Sequence, residues 1–258
     1  MKNIIRSAYY DLRHSKFFAV VYLLTAVMLS LSAMINVDEK GCGFVIFENG
    51  YIYWMISAFI AALAVGIICN DDHMDKTFNY EILSGHSRLS IFMARSLFGI
   101  LFAAAAATMI NFFPLAAGSM LKGFGDMSRF KDVILRQLLC FFPYLRFAAF
   151  VTVICFIIKN SYVVFAAGFL ISEIGMGLVN FFDHGRSLYT SIFNIGLLGD
   201  FGAWVIYNLD PVNGVVYYGR YKSELDMDVI VGTILVSLIM TAFYLFMGYG
   251  IFRRDDMD

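Results

Sequence analysis

Long apolar runs separated by short polar ones dominate this chain. Uncharged or nearly uncharged stretches of about 20 residues, the length a helix needs to cross a bilayer, occupy 17–35, 51–69, 96–121, 137–158, 161–182 and 229–252. The pattern predicts an all-α membrane protein with six transmembrane helices. Ahead of the first run, Ile4, Ile5, Ala8, Tyr9 and Leu12 recur at helical spacing while Lys2, Arg6 and Arg13 take the other faces. That arrangement suits an interfacial helix on anionic headgroups, with a solvated basic lead-in as the plainer alternative. Between the fifth and sixth runs, 188–198 and 201–209 are apolar enough for short outer helices, and Asp210-Pro211 breaks the pattern after them. A sealing or gating element and a purely structural cap both fit this outer segment.

One polar island interrupts the pattern most sharply. Residues 70–95 lie between the second and third runs and carry Asp75-Lys76-Thr77-Phe78-Asn79-Tyr80-Glu81-Ile82-Leu83, followed by Ser84-Gly85-His86-Ser87-Arg88. A loop there cannot satisfy its backbone in hydrocarbon, so it lies in water or in a protein interface. Thr77 or Asp75 can cap a short helix on which Phe78, Ile82 and Leu83 form an apolar ridge. Such a ridge either docks into a partner's groove or folds back onto the membrane surface or the bundle.

Composition agrees with a bilayer setting. Of the 258 residues 60% are hydrophobic and 15% charged, and the mean hydropathy is +0.73, whereas soluble domains are roughly a quarter charged. The remaining polar sequence is too fragmented for a second domain, so 1–258 is expected to be one transmembrane unit. The run 17–35 is longer than a signal peptide's apolar core of about 7–15 residues and is expected to stay as a span. A net charge of −1 argues against nucleic acid. Cys42, Cys69, Cys140 and Cys155 are too scattered for a disulfide framework or a paired-cysteine metal site and act as small apolar residues.

Charge sets an orientation. Lys2, Arg6, Arg13 and Lys16 precede the first span, whereas the connection after it carries one lysine with Asp38, Glu39 and Glu48. The amino terminus is therefore expected in the cytoplasm. Six spans return the carboxyl end there with Arg253 and Arg254, and the island falls on the same side. Lys122, Arg129 and Lys131 on the expected outside weaken the bias.

Catalytic chemistry is not written in this sequence. There is no phosphate-cradling GxxxxGK[ST] loop, no GxSxG elbow and no HExxH spacing among His14, His73, His86 and His184. Two charges do fall inside spans, Arg146 in the fourth and Glu173 in the fifth. They stand equally far along the chain from the Lys159-Asn160 turn, roughly 20 Å along each helix, so they are expected to meet as an intramembrane ion pair. Such a pair either steadies the bundle or marks a substrate site. Pro114 and Pro143, with Gly118 and Gly168, could kink spans for movement or simply serve packing. The 27 phenylalanines could line an apolar path, although lipid-facing packing accounts for most.

In layout and in the island the chain resembles the ABC-2 type membrane permeases of ATP-binding-cassette exporters. Those proteins have six spans, cytoplasmic termini, an amino-terminal amphipathic helix, a coupling helix between spans two and three, and a longer outer segment between spans five and six. Their intracellular pattern runs through an acidic stretch, Gly-Thr, paired aliphatics, a Pro-x-Ser-Arg turn and a basic residue seven positions on. Asp72 and Asp75, then Thr77, Ile82, Leu83, Ser87, Arg88 and Arg95, stand in register with it. Lys76 replaces the usual glycine and Gly85 the usual proline, and Gly85 can still turn the chain. The ending Phe252-Arg253-Arg254-Asp255 also looks like the family's closing motif.

The resemblance implies a permease without an ATPase site of its own. Its coupling segment, Asp75, Thr77, Phe78, Tyr80, Glu81, Ile82, Leu83 and Arg88, would dock an ATP-binding-cassette ATPase subunit present in two copies, which binds the ATP and Mg. This chain would hold no cofactor. A second permease chain, the same or homologous, would complete the dimer in a bacterial inner or plasma membrane. An amphipathic or hydrophobic cargo, such as an antimicrobial peptide or a drug, suits its aromatic spans. The competing expectation is a structural or regulatory membrane subunit with no path of its own. An ion-gradient carrier is disfavoured because most spans lack coupling carboxylates.

Overall fold

The computed structural model describes residues 2–36, 56–69, 83, 85–125, 127, 130–158, 160, 163–168, 170, 204–205, 208–209, 216–217, 220–221 and 227–254. Helix α1 (Lys2–His14) leads through Ser15 into α2 (Lys16–Asn36). Ser15 Oγ accepts the Phe18 N–H and so caps α2. Helix α3 (Ile56–Cys69) follows, then α4 (Arg88–Ile110), α5 (Phe112–Lys122), α6 (Phe130–Leu139) and α7 (Phe141–Ile157). A further helical piece, α8 (163–168), starts from Asn160, whose side chain accepts the Val163 N–H, and α9 (Met227–Arg254) is the last helix described.

Four helical stretches are long and apolar enough to cross a membrane, Lys16–Ile35, Arg88–Lys122, Val133–Ile157 and Ile230–Arg254, and Ile56–Cys69 is a shorter apolar helix. They correspond to four of the six expected spans, with α3 in the second. Only the start of the expected fifth, 161–182, falls within the described residues, as α8.

The helices form a bundle with α3 and α7 at its centre. From Ile60 onward α3 is enclosed on every side, and each residue through Cys69 is buried. Close approach is built on glycine, because a Cβ at Gly99 of α4 would stand 3.1 Å from Cys69 Sγ, and one at Gly168 of α8 would stand 3.1 Å from a Val151 methyl. Small residues substitute for the hydrophobic drive that lipid does not supply between membrane helices. At the edge, α2 and α9 keep long rows of exposed apolar side chains, among them Leu23, Leu24, Val27, Leu235, Ile239 and Phe246.

Helix α4 reaches beyond the start of α2. Phe18, near the beginning of α2, stacks on Phe102 at 5.9 Å, and the Tyr22 hydroxyl donates to the Ala106 carbonyl. The first turns of α4 therefore extend past α2, and α1 lies against them, burying Ile4, Ala8 and Leu12 while Ile5, Tyr9 and Tyr10 stay exposed. The helical spacing expected in the lead-in is present, with one stripe committed to protein and the adjoining one open.

The outer segment differs from expectation. Trp204–Val205 (β1) pairs antiparallel with Arg220–Tyr221 (β4), and Asn208–Leu209 (β2) with Val216–Tyr217 (β3). Both two-residue ladders share one hairpin register, so 204–205 and 208–209 are strand where the apolarity of 201–209 suggested a short outer helix. In sequence, Trp204-Val205-Ile206-Tyr207 and Val215-Val216-Tyr217-Tyr218 are strand-favouring residues, and Asp210-Pro211-Val212-Asn213-Gly214 between them is turn-favouring. The other expected outer helix, 188–198, lies outside the described residues.

Candidate functional site

The stem of the polar island is built from three residues. Gly85 takes φ 91°, a left-handed conformation that glycine adopts at little cost. Ser87 then caps α4, its hydroxyl accepting the Ser90 N–H, which satisfies one of the four donors a helix start leaves open. Arg88 is the first helical residue and is exposed. The island thus ends at Ser87, and 88–95, read as part of a polar connection, are the first two turns of α4.

Below the stem the chain is locked into an aromatic hub. Phe92 lies 5.3 Å from Phe156 of α7, 5.6 Å from Phe252 and 5.4 Å from Tyr249 of α9, and Phe156 and Phe252 are 5.4 Å apart. Ile4 of α1 and Ile91 complete the cluster. One layer of rings therefore joins α4, α7 and α9 directly beneath the stem, with Ile4 of α1 packed in the same cluster. The exposed side chains of Arg6, Arg13, Lys16, Arg88, Arg253 and Arg254 are gathered at this end of the bundle.

Of the expected docking residues, Leu83 is helical and 81% exposed, and Arg88 begins α4. Asp75, Thr77, Phe78, Tyr80, Glu81 and Ile82 lie outside the described residues. So does Glu173, leaving the expected pair represented by Arg146, which is 1% exposed within α7 and in electrostatic reach of Tyr244 on α9.

Two further arginines are buried where the sequence pattern placed polar connections. Arg95 of α4 is 2% exposed, within electrostatic reach of Asp11 on α1 and of Cys69 at the end of α3. Arg136 of α6 is 1% exposed beside buried Gln137. Both stand just before or at the edge of an apolar run, the signal that assigned them to water. Both are buried in the protein instead.

A third polar feature sits toward the opposite end. Ser57 Oγ donates to Asn111 Oδ1 at 2.7 Å, and Asn111 Nδ2 donates to the Tyr144 hydroxyl at 2.9 Å. These side chains, from α3, the α4–α5 junction and α7, are all buried. Asn111 was legible only as one polar residue within an apolar run. Along the buried face of α9, Thr233, Ser237 and Thr241 recur every fourth residue, continuing to Tyr244 and Gly248. This small polar stripe allows α9 to lie close against α7.

Among the described residues no group of three histidine, cysteine, aspartate or glutamate side chains is placed to hold a metal ion. The arrangement is a capped, basic stem set on a ring layer from α4, α7 and α9. No protein-family model matches the chain, and no curated protein sequence matches it either.

Proposed function

We propose that this chain is the membrane permease subunit of an ATP-binding-cassette exporter of the ABC-2 type, paired with a second permease chain and driven by two copies of a separate ATPase subunit. The observation that carries this reading is the stem. A helix capped at Ser87 enters the Phe92–Phe156–Phe252 layer within two turns. A push on the polar island therefore reaches α4, α7 and α9 together rather than being lost in a flexible joint.

The basic end faces the cytoplasm in this account, following the bias of lysine and arginine to that side. The island there presents Phe78, Ile82 and exposed Leu83 to the ATPase, which supplies the ATP and Mg chemistry while this chain supplies the path. The cargo is amphipathic or hydrophobic, and the setting is a bacterial inner or plasma membrane with both termini inside.

Co-purification tests the reading. The detergent-solubilised chain should bring an ATPase subunit with it, and the double substitution Phe78→Glu/Ile82→Glu should release that subunit while leaving the helical content intact. Retention of the ATPase by the double variant would remove the island's docking role. Absence of any ATPase from the wild-type preparation would favour a non-transporting membrane subunit.

A further inference from the structure

Helix α1 does not commit all of its apolar surface to protein. Ile4, Ala8 and Leu12, spaced four residues apart, form the stripe buried against the bundle. Ile5 and Tyr9 form a second stripe, roughly 100° further round at 3.6 residues per turn, and they are 37% and 51% exposed. Arg6 and Arg13 come next around the axis, and both are exposed. The opposite flank is polar: Ser7 and Asp11 lie there beside Tyr10 and His14, whose rings stack on each other at 4.0 Å. On one side of the helix, then, protein contact gives way to an open apolar stripe and after it to a basic one.

That order is the cross-section an interfacial helix presents to a bilayer, with apolar side chains below the headgroups and arginines level with the phosphates. The level of α1 fits as well. It passes through Ser15 into α2, the first stretch long and apolar enough to cross a membrane, so its last turn stands at the edge of the hydrocarbon. Lys16 opens that span and is exposed, as are the apolar Phe17 and Val20 that follow. A tyrosine at this depth keeps its ring in the acyl boundary and its hydroxyl among the headgroups, a placement tyrosine favours.

Charge selects the kind of lipid. Among the described side chains Asp11 is the only acid, and it stands within electrostatic reach of Arg95. Arg88, Arg253 and Arg254 extend the positive charge of Arg6, Arg13 and Lys16 at this end of the bundle. An acidic protein surface would match the arginines but would have to enter the edge of the bilayer to cover Ile5 and Tyr9. An anionic phospholipid carries both complements in one molecule, phosphate for the basic stripe and acyl chain for the apolar one.

We infer that α1 binds anionic phospholipid, with Arg6, Arg13 and Lys16 holding the headgroup phosphates while Ile5 and Tyr9 rest on the acyl chains beneath. The helix is thereby held by protein on one stripe and by lipid on the next. This contact requires no soluble partner and stands whether or not the polar island meets an ATPase.

Lipid-selective fluorescence quenching of the full-length chain in nanodiscs tests this. Tyr9→Trp, made with both native tryptophans replaced (Trp54→Phe/Trp204→Phe), puts an indole on the open stripe. Lipids brominated on the acyl chain should quench it. Brominated phosphatidylglycerol should do so with a preference of roughly fivefold or more over brominated phosphatidylcholine, because each arginine near an anionic surface contributes about that factor. Adding Arg6→Gln/Arg13→Gln should remove most of the preference and keep the quenching, and Tyr10→Trp, on the polar flank, should be quenched least. Equal quenching by the two lipids in Tyr9→Trp, or a preference that survives loss of both arginines, would overturn the anionic site. Absence of quenching in Tyr9→Trp would overturn the lipid contact altogether and leave the stripe to a protein. Ile5→Trp reads the same outcomes should Tyr9→Trp fail to fold.

Discussion

Removing the Phe92 ring is the sharpest perturbation of the hub. Phe92 is buried against Phe156, Phe252 and Tyr249, and a Cβ on Gly248 would stand 3.5 Å from its ring. In a soluble core, Phe→Ala costs about 3–5 kcal/mol, part of which is transfer out of water. In a bilayer the separated helix keeps the ring in lipid, so the transfer part largely vanishes and the packing part remains. Phe92→Ala leaves a void of roughly 100 Å³, which at about 24 cal/mol per Å³ gives about 2.4 kcal/mol. Reversible unfolding in mixed micelles, followed by helical circular dichroism, reads this directly. Phe246→Ala is the control, because that ring is 78% exposed on the same helix that supplies Phe252. The control should lose under about 0.5 kcal/mol. Equal losses for the two variants would refute the claim that the ring layer joins the helices.

Two smaller predictions concern glycines. Gly99→Val should cost about 1–3 kcal/mol by overpacking, since Cys69 Sγ and an Ile68 methyl already stand 3.1 and 3.3 Å from the Cβ position; Cys69→Ala should recover part of the loss in the same unfolding assay. Gly85→Ala should cost about 1 kcal/mol through backbone alone, because φ is 91° and, among the described residues beyond its chain neighbours, no atom lies within 4 Å of the added Cβ; Gly85→Asn, which tolerates that conformation better, should lose less.

The apolar runs carried most of the architecture. Runs of bilayer length forecast α2 and α9 to within a few residues, and the lead-in's helical spacing forecast α1, although Ile4, Ala8 and Leu12 are buried in the protein rather than laid on headgroups. Boundaries set by charge were less legible. Arg95 and Arg136 look like ends of polar connections because hydropathy counts the charge and not the neighbours that enclose it. Asp11 beside Arg95 comes from another helix, and no local pattern records that meeting. The Asn111–Tyr144 hydrogen bond, which joins spans three and four, likewise follows no local pattern. The outer 201–209 stretch has an apolarity that suits a short helix, but its described residues 204–205 and 208–209 pair with 220–221 and 216–217, strand partners that local apolarity does not record. The docking ridge rests on Phe78 and Ile82, outside the described residues, and the structure describes only the stem at Gly85 and Ser87 that follows it.

The central claim, that the island faces the cytoplasm and receives an ATPase, is tested most directly by sided labelling at Leu83. In a Cys42→Ala background, Leu83→Cys places a thiol at an exposed position, whereas Cys69, Cys140 and Cys155 are buried. A membrane-impermeant maleimide should modify it in inside-out vesicles, not in intact cells, and less when the ATPase subunit is bound. Modification in intact cells, or a rate indifferent to the ATPase, would contradict the account.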